Sequence, residues 1–325
     1  MGVWRLQPVI DLIAKIPQFF FTWALFFGAG LLLYLTTSYR LNGKLSLQQL
    51  YADCVPFNPV KSKSFHMDVV TYLVTKLSLF IWTIPGFAAY AALSTSEFDI
   101  LHKLSGDMPV QSSDPIVALL CAVSVFIFAE LAYYLVHYSN HKVPFLWELH
   151  KLHHSAEVLN PLTNTRAHPV SQTYKFVVIG IFTAVPSGFF MEYYGFTLPE
   201  IVVLTAVANK LASIFTLDSL RHSHFPISFG PLDAIFISPH MHHIHHSSEE
   251  KHFDKNFGLN LSLFDWLFRT AYKPAKGERM TPGIHGYSDE ELQNFNTLKG
   301  AYLAPLKMPL EWLSKPFRQR RRELG

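Results

Sequence analysis

Cysteine is almost missing: the 325 residues include only Cys54 and Cys121, and Cys121 lies inside an apolar run. That excludes a disulfide framework, a cysteine-based zinc motif and an iron–sulfur cluster. Charge is sparse as well, at 16% Asp, Glu, Lys and Arg with a net charge of +3, too little to argue for a nucleic-acid partner. The chain has no GxGxxG of the dinucleotide-binding type, no CxxCH haem attachment and no HExxH, since residues 137–141 read HYSNH. A zincin peptidase and a built-in source of electrons are therefore poor readings. What remains is half hydrophobic, with 28 Phe, and its apolar residues cluster in long runs. Such a composition belongs to membrane proteins rather than soluble domains.

The first charge-free run, 16–39, is long enough to cross a bilayer core of ~30 Å as a helix. A cleaved signal peptide is the competing reading, but no small-residue cleavage site follows. Residues 40–68 carry Arg40, Lys44, Lys61 and Lys63, and the next apolar run, 77–96, contains Pro85 and Gly86, predicting a kinked or hairpin-like span. The segment 97–114 sets one lysine against Glu97, Asp99, Asp107 and Asp114. The positive-inside rule then puts 40–68 in the cytoplasm and 97–114 on the opposite side. A third run, 115–136, returns and ends at His137. The weaker stretches 176–191 and 196–217 form either a shallow hairpin or two spans, and both leave the chain on the side it started from.

Histidine is the residue that organises the chain, for thirteen of seventeen fall between 137 and 246. His137 and His141 stand one helical turn apart. His150, His153 and His154 follow a break at Pro144, and His242, His245 and His246 repeat their HxxHH spacing. On a helix these positions share a face, and on a strand they would not. Three such motifs at membrane exits point to a metal centre, and so many imidazoles can hold two ions with positions left open. His168 and His222 are intermediate candidates. His224, His240 and His243 are either outer partners or mere neighbours, and His66, His102, His252 and His285 read as ordinary surface or hydrogen-bonded histidines. Glu130, inside the third run, shares a stripe with Tyr134, His137 and His141, which predicts a carboxylate partner behind a ligand.

The order HxxxH, HxxHH, single His, HxxHH on such a scaffold resembles the fatty acid hydroxylase and sterol desaturase superfamily of membrane di-iron oxidases. The resemblance covers about residues 130–270 and extends to AELAYYLVHYSNH, NPLTNTRAHP, RHSHF and FDKNFGLNLSLFDWLFRT. Tyr138 stands where an arginine commonly follows the first histidine, and Arg269 where glycine is common before Thr270. The resemblance implies a metal set of His137, His141, His150, His153, His154, His168, His222, His242, His245 and His246. Glu130, Asn256 and Asp265 are the candidate catalytic residues, acting behind those ligands. It further implies two Fe ions, O2 as co-substrate, and hydroxylation or desaturation of a membrane lipid: a sterol, a fatty acyl chain or a lipid head group. Zinc can occupy such a site in isolated protein. Electrons would come from an external carrier of cytochrome b5, ferredoxin or rubredoxin type.

The expected fold is an all-α integral membrane protein with about three to five transmembrane helices and a cytoplasmic helical cap holding a histidine-rich dimetal site. The expected organisation is an N-terminal membrane region over 1–114, a catalytic domain over 115–272 and a C-terminal cytoplasmic tail over 273–325. The membrane would be the endoplasmic reticulum in a eukaryote and the inner membrane in a bacterium. A membrane carrier or sensor of zinc or copper is the alternative function, disfavoured because a permeation path places its ligands at mid-membrane.

Overall fold

The computed structural model describes residues 58–106, 112, 114–275 and 277–307. The expected span 16–39, most of the basic stretch 40–68 and the basic end of the chain lie outside the described residues. The chain divides into two units, Met1–Lys61 and Ser62–Gly325, and the helices described all belong to the second. Among the described residues there is no strand, only two isolated bridges, Phe236 with Leu261 and Ser247 with Pro282.

Helix α1, Lys63–Leu77, starts where the Ser62 hydroxyl accepts from Phe65 N at 3.1 Å. Helix α2, Leu79–Ser105, runs unbroken through Pro85 and ends at Gly106 in the left-handed conformation, φ 65°. Of the kinked or hairpin-like span expected at Pro85–Gly86, the hairpin is replaced by one continuous helix. Helix α3, Pro115–Lys142, is capped by Asp114, with Pro115 in its first turn, where a missing N–H is harmless. Helix α4, Pro144–His154, follows after the single residue Val143. Helices α5, Pro169–Tyr194, and α6, Leu198–Phe215, are joined through Gly195, φ 64°. The two weaker apolar stretches are therefore two long helices and not a shallow hairpin. Three short helices complete the unit: α7, Pro239–His245; α8, Leu263–Leu267; and α9, Asp289–Asn294.

Four of these, over Leu79–Leu104, Pro115–Lys142, Pro169–Tyr194 and Leu198–Phe215, are long and apolar enough to cross a membrane. Their outer faces suit lipid: Phe80, Ile84 and Phe87 on α2 and Ile116, Leu119 and Leu120 on α3 are all exposed. Close packing of α2 on α5 rests on glycine. A Cβ on Gly86 would lie 2.5 Å from Phe176 O, and one on Gly180 2.4 Å from Gly86 O. One step along, the Tyr90 and Ser187 hydroxyls meet at 3.0 Å. Small residues let membrane helices approach this closely, and that approach is what absorbs Pro85 into a continuous helix. Gly180→Leu should separate the pair and lower the thermal unfolding midpoint in detergent, by an overpacking cost of ~1–3 kcal/mol. An unchanged midpoint would rule the close crossing out.

At the end of the bundle where α3 finishes and α5 begins, α1, α4 and the segment 295–306 pack together around Met67, Leu152 and Ala301. The segment expected as a tail is thus partly folded over α4. A buried ion pair holds this cap. Arg166 Nη1 lies 3.1 Å from Asp68 Oδ1, and neither side chain is exposed. The same guanidinium donates to the carbonyls of Leu152 and Ser64, the Ser155 hydroxyl and Asn296 Oδ1, all within 3.0 Å. Asp68 Oδ2 accepts in turn from Asn160 Nδ2 and Thr163 Oγ1.

Candidate dimetal centre

Helix α3 carries His137 and His141 on its last turns, α4 carries His150, His153 and His154, and α7 presents His242 and His245, with His246 as its C-cap. His222 reaches the same place from the loop after α6. All the box motifs are therefore helical, as their spacing predicts. Nine histidines form two groups, each with its ligand nitrogens within 4.8 Å of one another: His137, His141, His150, His154 and His245 in one, His153, His222, His242 and His246 in the other.

Each HxxHH motif is divided between the groups. The i and i+4 histidines of α4, His150 and His154, serve the first group, and the i+3 histidine, His153, turns to the second. On α7, His242 and His246 serve the second and His245 crosses to the first. At 100° per residue, positions i and i+4 differ by about 40° around a helix while i+3 and i+4 differ by about 100°. Neighbours in sequence therefore point at different ions.

The rings fit metal ions. In the first group the Nε2 atoms of His137, His141, His150, His154 and His245 are buried and without a hydrogen-bond partner. In the second, Nε2 atoms stand 3.0 Å apart for His242 and His222, 3.1 Å for His222 and His246, 3.1 Å for His246 and His242, and 3.3 Å for His222 and His153. Four imidazole nitrogens converging so closely cannot satisfy one another as hydrogen bonds. They are spaced as ligand atoms around one ion at ~2.1 Å, where cis octahedral positions lie ~3.0 Å apart and tetrahedral ones ~3.4 Å.

The outer nitrogens of three of the rings are held by backbone carbonyls, while those of His222, His242 and His246 are buried without a partner. His137 Nδ1–H donates to Phe257 O at 2.8 Å, His245 Nδ1–H to Lys255 O at 2.8 Å and His153 Nδ1–H to Arg166 O at 3.3 Å. These bonds fix the tautomer that leaves each Nε2 lone pair facing inward. Burial pushes the imidazoles toward the neutral, ligating form. His153 falls to about 3, by burial and then the neighbouring His245, and His245 falls to about 4, by burial, while His150, His154, His222, His242 and His246 lie well below the usual value for the same leading reason.

Depressed values make the metal-free fold sensitive to acid. Below about pH 6.5 the unfolded chain binds protons that the folded site refuses, so stability falls with pH from there down through the folded values, about 4 for His245 and about 3 for His153. The unfolding midpoint of metal-free protein is expected to hold steady above about pH 7 and to drop steeply between about pH 6.5 and 4. Metal-loaded protein should resist to lower pH, because protons must first displace the ion.

Glu130, Asn256 and Asp265, expected to act behind the ligands, touch no ligand nitrogen. Each instead builds the loop 254–261 whose carbonyls hold His137 and His245. Glu130 accepts from Asn260 N, Asn260 Nδ2 and Leu261 N at 2.8–2.9 Å. Asp265 accepts from Phe257 N and Gly258 N at 2.8 Å and from Thr270 Oγ1 at 2.7 Å. Asn256, at φ 58°, clamps Met241 O and both backbone groups of Tyr272. All three thus bond backbone groups of that loop and its neighbours. Asp265→Asn should weaken metal binding by ~10–100-fold in a chelator competition; unchanged affinity would show that the loop does not orient the ligands.

His168 also stands apart from both groups. Its Nδ1 accepts from Val170 N at 3.2 Å, capping α5, and its Nε2–H donates to Tyr302 O at 3.0 Å, so both nitrogens are committed. His252, although buried, bonds Ser247 and Glu278 and is likewise outside the groups. His243 faces the backbone of Arg221 and Ser223, which flank His222. Arg269, at the position where the resemblance expects glycine, adopts φ 62°, a conformation glycine enters without strain.

A cavity of about 360 Å³ reaches both groups, lined by His137 and His150 of the first and His153, His222 and His242 of the second. Asn140, between the first two histidines in sequence, and Lys175 on α5 line it too, and sequence reasoning passed over both. Their signal was a polar residue inside the first motif and a cation entering an apolar run. A separate cavity of about 340 Å³ meets the first group from another direction, through His141, His154 and His245, with Trp147 beside them.

A bundle of membrane-length helices ending in two histidine groups, each able to hold a metal ion, defines a histidine-box membrane protein. Residues 122–270 match the Fatty acid hydroxylase family model, a stretch that begins in α3 and closes at the Thr270 hydroxyl bonded to Asp265, so the part of the chain that carries the histidine groups is a domain of that kind. The ornithine lipid hydroxylase OlsE of Rhizobium tropici is 29% identical over 160 residues, 49% of this chain and 44% of that protein. Alkylglycerol monooxygenase of Caenorhabditis elegans is 27% identical over 176 residues, 54% of this chain and 30% of the relative, and that of Homo sapiens 27% over 161 residues, 50% and 32%. The chain thus spans less than half the length of these relatives. No solved structure matches.

Proposed function

We propose that this protein is an O2-dependent di-iron oxidoreductase that hydroxylates or desaturates a membrane lipid, with electrons from an external carrier. The observation behind the reading is one cavity bounded by histidines of both metal groups, so that a C–H bond placed there faces both ions at once. The family of the 122–270 segment, and relatives named as a lipid hydroxylase and a monooxygenase, support lipid oxidation.

Bound iron would supply the activation of O2 and the abstraction of hydrogen from an unactivated C–H bond. The chain supplies the rest. Nine neutral imidazoles hold the ions without adding negative charge, and the carbonyls of Lys255, Phe257 and Arg166 keep the rings in register. The cavity keeps the reacting carbon away from bulk water, while the separate approach past Trp147 suits electron entry without disturbing the lipid. Hydroxylation balances as lipid, O2, two electrons and two protons giving alcohol and water. We place the site on the cytoplasmic side of a multi-pass protein, from the basic 40–68 stretch and the acidic 97–114 stretch.

The test is metal analysis of freshly purified protein, then turnover under ¹⁸O2 with a reducing partner and a panel of lipids. About two irons per chain and one ¹⁸O atom in an alcohol support hydroxylation, and an alkene with ¹⁸O only in water supports desaturation. Stoichiometric zinc or copper, with no O2 uptake after anaerobic reconstitution with iron, would instead favour a metal carrier or sensor.

A further inference from the structure

The cavity over the histidines is polar in a way that the metal groups do not require. Lys175 enters it from the second turn of α5, within a membrane-length helix. Ammonium groups in such helices are costly and are found paired. Here the carboxylate on the same wall, Asp218, is already engaged by Arg221, at 3.1 Å, and Arg221 also donates to Leu259 O. Among the described residues no carboxylate lies within ion-pair distance of Lys175, and the ring of Phe176 is its near neighbour, at 5.0 Å. Beside it, the Asn140 amide is 4% exposed, and Gln172 and Asn164 add two further amides to the wall, each with an N–H2 group able to donate. A cation and three amides around one space form a receptor for an oxyanion.

The space beyond differs. A second cavity of about 240 Å³ shares the wall residues Tyr133, Ile179 and Leu259 with the first and is lined by Val125, Ala129, Val202 and Ala206, with Glu130, Thr205 and Asn209 among them. A chamber that carries a cation and amides, beside a mostly apolar one, suits a molecule with a charged head and an alkyl chain.

We propose that this protein selects an anionic amphiphile, with a phosphate or carboxylate head bound by Lys175 and the amides of Asn140 and Gln172, and its chain in the apolar cavity. This rests on the lipid-oxidation reading and names the substrate class for it. Because the head-binding groups and the histidines share one chamber, the oxidised carbon lies near the head end of the lipid.

The test uses the full-length, metal-loaded protein in a neutral detergent and tritiated hexadecyl phosphate as probe. Hexadecanol and inorganic phosphate are the competitors. Hexadecanol is expected to displace the probe at least about tenfold less well than unlabelled hexadecyl phosphate, and inorganic phosphate not at all. Lys175→Met should weaken probe binding about tenfold and leave hexadecanol affinity unchanged, whereas Lys175→Arg should retain binding. Metal content reports whether each variant is folded, and the wild-type competition needs no variant. Equal binding of alcohol and phosphate by the wild type, or full selectivity in folded Lys175→Met, overturns the proposal. Complete displacement by inorganic phosphate also overturns it, since the site would then serve a free anion. Selective binding without any ¹⁸O2-dependent product would sink the oxidase reading alone; oxidation of neutral lipids without head-group selectivity would sink only this one.

Discussion

Replacing His222 with alanine should cut bound iron from about two to about one per chain and abolish lipid oxidation. The loss should exceed the ~10–100-fold typical of removing an outer partner of a ligand. His222 is a single residue from a loop, yet its Nε2 lies within 3.3 Å of three other ligand nitrogens, so its loss opens the second group at its centre. Two controls sharpen the test. His168→Ala should keep both ions, because that ring caps a helix and bonds a carbonyl instead of facing the cluster. His153→Ala and His154→Ala, though adjacent, should each lose a different ion, and the double variant both. If single variants lost both irons together, or if His168→Ala lost one, the division into groups would be wrong.

The second large effect is expected at Arg166. Arg166→Met leaves the Asp68 carboxylate fully buried without its cation and strips hydrogen bonds from α1, α4 and Asn296. Breaking a buried pair from one side costs about 3–5 kcal/mol, seen as a lower unfolding midpoint in detergent. Removing both charges avoids the orphaned carboxylate, so Asp68→Leu with Arg166→Met should be more stable than Arg166→Met alone. A double variant no better than the single one would mean that hydrogen bonding by Arg166, and not charge burial, holds the cap.

Much of this site is legible in the sequence because helical spacing is a local property. HxxxH and HxxHH announce their own geometry, and the structure places all eight of those histidines, with His222, in the two groups. The stripe of Glu130, Tyr134 and His137 is equally local: all three are buried, and Tyr134 packs on Phe257 and Phe264. What escaped the sequence depends on partners far along the chain. Which ion each histidine serves is set by how α4 and α7 face each other, and HxxHH reads the same either way. The role of Glu130 depends on a loop 130 residues later, so a carboxylate on the ligand stripe looked closer to the chemistry than it is. Backbone carbonyls such as Phe257 O leave no trace in residue identity. That Pro85–Gly86 lies within one helix and not in a hairpin also depends on a distant partner, since Gly86 packs against α5.

The crossed sharing of the two HxxHH helices makes the metals into covalent-like staples. Cys121 is a free thiol, and among the described residues nothing else ties distant segments covalently. Yet His150 and His245, 95 positions apart, converge in one group, and His153 and His246, 93 positions apart, in the other, so that an ion bound in each would tie those segments together. Closing a loop of that length has an entropic cost that an ion can offset by its binding energy. Because the two closures run in parallel between the same short helices, forming one brings the other's ends together. Iron loading should therefore be the final, cooperative step of assembly, and the metal-free chain should expose residues 143–168 and 222–262 to protease well before its membrane-length helices separate.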